Sequence, residues 1–165
     1  HKDALFALRQ ASQDIVEAVK DIKHLQKNMV YYLNHAHPEM RREYQTLRQQ
    51  LGSILRELSD LAQRDDLDLA MLSLDGLKLS IEQNDIQLNS NLDQLIRQNQ
   101  ITPQMATSLM NDSAYAYDVA QNLVAMGRVL FASSANGIKG IENAIILDDN
   151  ELEEVVYTDT PHKER

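Results

Sequence analysis

The stretch that decides the fold is DALFALRQASQDIVEAVKDIKHLQKNMVYYLN, residues 3–34. Its apolar residues recur at alternating steps of three and four, interrupted only by Ser12 and Gln26: Leu5, Leu8, Ile15, Val19, Ile22, Met29 and Leu33. This spacing predicts one face of a single α-helix. Because a helix of this length spans about 45 Å, we expect that face to pack against partner helices of similar length.

Three further helices are predicted by the same spacing and by start signals. The second begins at Pro38, since proline is favoured at the first helical position, and carries Met40, Tyr44, Leu47, Leu51, Ile54 or Leu55, Leu58 and Leu61. The third begins at the capping residues Asp65 and Asp66 and carries Leu67, Met71, Leu74, Ile81, Leu88, Leu92 and Leu95. The fourth begins at Thr102 and Pro103 and carries Met105, Leu109, Ala116, Ala120, Leu123, Gly127 and Leu130.

Short connections between helices of similar length favour an all-α fold, an up-down antiparallel bundle of four long helices. The apolar pattern weakens after Ser133, where Asn136, Gly137 and Gly140 follow. We therefore expect one bundle domain at residues 1–147 and an irregular, flexible, acidic tail at residues 148–165.

Charge and composition exclude several classes of function. The net charge is −9, and seven acidic residues lie between Asp148 and the C-terminus. Nucleic acids and anionic lipid surfaces require clustered Lys and Arg, so we expect neither as a partner. The chain has no cysteine, which excludes disulfides. No apolar stretch reaches the length of a membrane span, and the start at His1 suggests a piece of a longer protein.

Polar residues within the apolar stripes are the candidate site: Gln26, Asp85 and Asp112. A buried carboxylate needs a partner, so Asp85 and Asp112 could mark a binding site, a pair of metal ligands or a network that fixes the helix register. The competing interpretation is that each stripe drifts around its helix, which would bring these residues to the rim of the bundle.

Other polar motifs have simpler interpretations. Glu17 and Asp21 have the four-residue spacing of a helical metal site, but their predicted position beside Lys20 and Lys23 favours a solvated surface. His24 invites comparison with histidine phosphotransfer bundles, but Asn28 stands where such a site has glycine, so a surface histidine is the favoured interpretation. His35 and His37 read as a polar turn. We predict no catalytic, metal-binding or cofactor-binding residue, and no enzymatic activity.

Two segments resemble a known family. They are RREYQTLR at residues 41–48, which leads into Leu51 and ILREL at 54–58, and ITPQMATSLMNDSAY at 101–115. Both are similar to the PhoU-like helical domain of bacterial sodium/phosphate cotransporters, and DIKHLQKN at 21–28 is similar in style. The resemblance covers about residues 1 to 135.

The resemblance implies a regulatory domain at the cytoplasmic face of the bacterial inner membrane. Such a domain contacts a membrane transporter, in the same or a separate polypeptide, without chemistry of its own. Homo-oligomers are compatible with it. Classical PhoU proteins repeat a Glu/Asp-x-x-x-Asp metal motif, whereas this chain has only Glu17 with Asp21, so metal binding is not implied. The alternative function is a signalling four-helix bundle, either a phosphotransfer domain using His24 or a ligand sensor.

Overall fold

A computed structural model describes the backbone of residues 2–35 and 37–158, and the side chains of residues 2–35 and 37–132. It contains α1 (Lys2–Asn34), α2 (Pro38–Leu61), α3 (Leu67–Arg97) and α4 (Pro103–Thr158). No strand occurs in the described backbone, so the predicted all-α class is confirmed. Within this part of the chain, no helix combines the length and apolar character that crossing a bilayer requires.

The predicted start signals act as helix caps. The side chain of Asp66 accepts a hydrogen bond of 3.0 Å from the backbone N–H of Leu69, and Oγ1 of Thr102 accepts one of 3.2 Å from Met105. His37, interpreted above as part of a turn, caps α2 because its Nδ1 accepts from the backbone N–H of Met40. Each contact satisfies an N–H group that has no partner within its own helix.

Helix α4 lies at the centre and packs against each of the other three helices, whereas α1 and α3 do not pack against each other within the described residues. Contacts between α1 and α4 join His24 to Tyr115 and Asn28 to Asp112. The residue number falls on one helix as it rises on the other, so the two helices are antiparallel. Helix α2 runs parallel to α4. Helix α3 is antiparallel to α4, since Asp75 pairs with Arg128 and Leu88 lines the same pocket as Ala116. The bundle therefore alternates direction as predicted.

The core has two apolar clusters. One, at the end of the bundle that contains the α1–α2 turn, draws on all four helices and includes Leu25, Tyr44 and Leu109. The other includes Ile54, Leu74 and Val124, and its described members come from α2, α3 and α4. The first part of α1 therefore rests on α4 outside the main core.

The α1 face that the sequence predicts to be buried is largely exposed. Leu25, Ala11 and Ala18 are the buried apolar residues of α1, and the two alanines permit close approach to α4. The following residues are between 42% and 69% exposed and are called the α1 seam below: Leu5, Leu8, Ile15, Val19 and Ile22. Helix α1 has two adjacent apolar stripes of seven-residue period. The stripe that contacts α4 is the one that contains Ala11 and Ala18, so the prediction for the other face is wrong.

Helix α4 also extends further than the apolar pattern indicates. Its backbone is helical to Thr158, which includes residues 148–158 of the predicted irregular tail. No proline interrupts the chain between Pro103 and Pro161, and an interior glycine costs a helix only about 1 kcal/mol relative to alanine. The remainder of the predicted tail, residues 159–165, lies outside the described residues.

Candidate functional site

Asp112 is the most deeply buried of the three candidate residues, with 3% of its surface exposed. Its Oδ2 accepts a hydrogen bond of 2.9 Å from the side-chain amide of Asn28 on α1. The same oxygen accepts a short hydrogen bond from the hydroxyl of Tyr44 on α2. One carboxylate on α4 thus ties together three helices, which is the geometry of a network that fixes register.

The electrostatics of this network are set by burial. Removal from water raises the pKa of Asp112, although the hydrogen bonds from Tyr44 and Asn28 act in the opposite direction. Burial also raises the pKa of Tyr44, and the hydrogen bond to Asp112 adds to that shift. A phenol with a raised pKa keeps its proton, so Tyr44 serves as a permanent donor to the carboxylate.

Aromatic rings extend the network along α1. The rings of Tyr32 and Tyr44 stack with their centroids 5.0 Å apart, and those of His24 and Tyr115 stack at 4.9 Å. Stacked pairs of this kind contribute about 0.5–1.5 kcal/mol beyond their area burial. The contacts of His24 give it a structural explanation as a residue that secures α1 to α4.

Glu43 is a second buried carboxylate, and the sequence did not single it out. It lies on α2 beside the apolar stripe and is 7% exposed. Burial raises its pKa, and the nearby side chain of Asn91 on α3 and the charge of Arg42 partly oppose that rise. Because Glu43 directly precedes the stripe residue Tyr44, the three- and four-residue spacing gave no signal of its burial.

The other two candidate residues, Asp85 and Gln26, are less buried than Asp112. Asp85 is half-buried and lines a cavity of about 30 Å³ between α2, α3 and α4, together with Gln50, Asn84, Ser113 and Tyr117 among others. A cavity of this size has room for one or two water molecules. Gln26 is exposed, so the expectation that it occupies a buried stripe is wrong. It lies within the α1 seam, which is not the stripe that packs against α4.

Glu17 and Asp21, the two carboxylates with the spacing of a helical metal site, lie in different environments. Glu17 is exposed and forms an ion pair with Lys20 at 2.7 Å, as the surface interpretation requires. Asp21 instead turns toward α4, and burial and the negative charges of Asp118 and Glu17 raise its pKa. In the part of the chain whose side chains are described, no three His, Asp or Glu residues converge on a point where they could hold a metal ion.

A row of exposed cationic side chains lies beside the α1 seam. At 100° per residue, the seam covers a sector of about 100° on the helix surface, and the adjoining sector of about 60° contains five exposed cations. They are called the basic edge below: Lys2, Arg9, Lys20, Lys23 and Lys27. Two of the four acidic residues of α1, Asp14 and Asp21, are half-buried on the side of α4. An acidic chain therefore presents one helix face that is both apolar and basic.

Helix α3 also has an exposed apolar face, but its charged neighbours are acidic. Leu72, Leu79 and Ile86 are at least 60% exposed and seven residues apart. Helical spacing places Asp68, Asp75 and Glu82 beside them, so this second apolar face has acidic neighbours. The basic edge distinguishes the α1 seam from it, and regular spacing of the cations in the sequence could have revealed that edge.

Comparisons with known proteins leave the family open. No protein-family model matches the chain, and no curated protein or solved structure does either.

Proposed function

We propose that this chain is a non-enzymatic interaction domain that docks on a partner through the α1 seam and its basic edge. The observation that supports the proposal is the exposure of five aliphatic side chains in heptad register on one helix face. Contiguous apolar surface of this kind marks interaction sites in soluble proteins, and an amphipathic helix is recognised through anchors at these spacings.

The contacts of the adjacent stripe of α1 suit this role. Ala11, Ala18 and Leu25 are buried against the bundle, and Asn28 is fixed to Asp112. The helix is therefore held rigidly while its outer face remains free to bind. A face organised before binding loses less conformational entropy when a partner arrives.

The proposed partner is the membrane domain of a sodium/phosphate cotransporter, because of the resemblance of residues 41–58 and 101–115 to the PhoU-like domains of that family. The domain would work at the cytoplasmic face of the bacterial inner membrane and regulate phosphate uptake by contact. In this proposal the α1 seam packs on apolar side chains of the transporter, and the basic edge pairs with acidic groups beside them.

The test measures binding of the full chain to the membrane domain of such a cotransporter in nanodiscs. The double variant Ile15→Glu/Ile22→Glu places charges within the seam, and we expect it to weaken binding by more than about tenfold, equivalent to 1.4 kcal/mol. The matched control is Leu72→Glu/Leu79→Glu on α3, whose side chains are at least as exposed and which should bind like the wild type. Equal binding by the seam variant, or no binding by the wild type, would contradict the proposal.

A further inference from the structure

Two outward faces of the bundle have the same apolar spacing. The α1 seam begins at Leu5, and a similar face of α3 begins at Leu69. Each follows alternating steps of three and four residues over about 26 Å, as in helices that pair with another helix. The apolar residues of the second face are between 47% and 69% exposed and are called the α3 face below: Leu69, Leu72, Leu79 and Ile86.

The charged residues beside these faces are complementary in sign and in position. In a parallel pair of helices aligned at the first residue of each face, the e positions of one heptad repeat lie next to the g positions of the other. Arg9 of α1 then lies next to Asp68 of α3. Lys23 lies next to Glu82 in the same way. Among the described side chains, none of these four forms an ion pair within its own chain.

The residues between these charged pairs fit the same alignment. Asp75 already pairs with Arg128 of its own chain, and the alignment places it next to the apolar Val16 instead of a cation. Gly76 meets Ser12 at the centre of the contact. A methyl group at Gly76 would touch nothing within 4 Å in its own chain, although glycine weakens a helix interior. Two small residues at this point permit close approach of the helices.

The bundle holds the two faces parallel and at almost the same height. Helices α1 and α3 both run antiparallel to α4, so they are parallel to each other. Asn28 of α1 is level with Asp112 of α4, and Asp75 of α3 is level with Arg128. Since all helices rise equally per residue, each residue of α1 is level with the residue of α3 about 63 positions later. The alignment described above lies within about one position of this difference, so it needs almost no shift along the helix axis.

We infer that the α1 seam of one copy packs on the α3 face of a second copy, with the basic edge against the carboxylates of α3. A contact between two α1 seams, or between two α3 faces, offers no opposite charge to either edge, and like charges suppress association. The contact joins two different surfaces, so each copy retains one surface for a further copy. Because it needs almost no axial shift, successive copies stay side by side, which is the arrangement that closes into a ring when the rotation permits.

This inference rests on the docking role proposed for the α1 seam, since a second copy and the transporter would compete for that surface. The experiment measures self-association of the full chain by sedimentation velocity, with no other protein present. We expect assemblies larger than a dimer as the concentration rises. Added salt should weaken them, because it screens the two charged edges.

Two variants each block one surface. Ile15→Glu/Ile22→Glu places charges in the α1 seam, and Leu72→Glu/Leu79→Glu places them in the α3 face. Each variant alone should be monomeric at concentrations where the wild type associates. An equimolar mixture should form a one-to-one dimer and nothing larger, because only one intact α1 seam and one intact α3 face remain to meet.

Charge reversal tests the alignment itself. Arg9→Glu/Lys23→Glu should raise the dissociation constant of the contact by more than about tenfold. Adding Asp68→Lys/Glu82→Lys to the same chain reverses both edges, and it should restore the constant to within about threefold of the wild type. Failure of this fourfold variant to recover would overturn the inference.

The control for the blocking variants is Leu55→Glu/Met110→Glu, two apolar residues that are each 53% exposed on other helices, and it should associate like the wild type. A monomeric wild type, blocking variants that associate like this control, or a mixture without the dimer would also overturn the inference. The nanodisc assay is run below the concentration at which the chain self-associates. A monomeric wild type that still binds the cotransporter domain would reject self-association alone, and self-association without that binding would reject the proposed function alone.

Discussion

Asn28 on α1 donates a hydrogen bond of 2.9 Å to Asp112 on α4, across 84 positions in the sequence. The same carboxylate accepts from Tyr44 on α2, so the contact sets the position of α1 relative to both helices. This position determines which face of α1 turns toward solvent. The network inside the bundle, together with the buried stripe of Ala11, Ala18 and Leu25, therefore holds α1 in the orientation that exposes the α1 seam.

Removal of the buried carboxylate should destabilise the bundle. In Asp112→Ala, the hydroxyl of Tyr44, a residue with no exposed surface, loses its acceptor, and a buried donor without a partner costs about 1–3 kcal/mol. We expect the free energy of unfolding in urea to fall by about 2 kcal/mol or more. Asp85→Ala, at a half-buried position, is the control and should cost under about 1 kcal/mol. Equal losses would remove the special role assigned to Asp112.

The stability of the wild type should depend on pH in a direction set by Asp112. Burial raises the pKa of this carboxyl above its ordinary value of 3.8, so the native state binds a proton more readily than the unfolded chain. The free energy of unfolding then falls as the pH rises from about 4 through the raised native pKa. Burial shifts the pKa of Glu43 and Asp21 in the same direction.

The variant Asp112→Asn removes one of these titrating groups without changing the size of the side chain. We expect a shallower fall of unfolding free energy with pH than in the wild type, measured by urea titrations between pH 4 and about 7. Identical slopes for the two proteins would show that Asp112 does not have a raised pKa in the native state.

Two neighbouring apolar residues of α1 should respond differently to truncation. Leu25 is 2% exposed and Ile22 is 42% exposed, although both are aliphatic and lie only three positions apart. Leu25→Ala should cost about 2–5 kcal/mol of unfolding free energy, as buried truncations do. Ile22→Ala should cost less than about 1 kcal/mol. If the order is reversed in thermal or urea unfolding, α1 has a different face in the core.

Two glycines test the packing around α4. A methyl group at Gly127 would lie 2.8 Å from Cδ2 of the buried Leu58, whereas one at Gly76 would meet nothing within 4 Å. Gly76→Ala should raise the free energy of unfolding by about 0.5–1 kcal/mol, because alanine favours the helix. Gly127→Ala should lower it, since overpacking costs about 1–3 kcal/mol and outweighs that gain. A stabilised Gly127→Ala would show that α2 and α4 are further apart.

The sequence predicted the core-facing stripes of α2, α3 and α4, although α3 has a second apolar stripe at Leu72, Leu79 and Ile86 that is exposed. Leu47, Leu74 and Leu109 are all buried as expected. Helix α1 has two stripes with the same seven-residue period, and spacing alone cannot decide which one packs internally. Asp112 stood out because it interrupts an apolar stripe. Its partners Asn28 and Tyr44 did not, because contacts between residues so distant in the chain leave no local pattern.

The central claim is that the Ile15 side of α1 faces outward and forms the docking surface. Because the natural chain contains no cysteine, the single variants Ile15→Cys and Ala18→Cys can be labelled with a maleimide in dilute solution, where self-association is negligible. We predict fast labelling at position 15 and slow labelling at position 18, with the site at 15 becoming protected when the cotransporter membrane domain is added. Slow labelling at position 15 in the chain alone, or no protection by the membrane domain, would contradict the account.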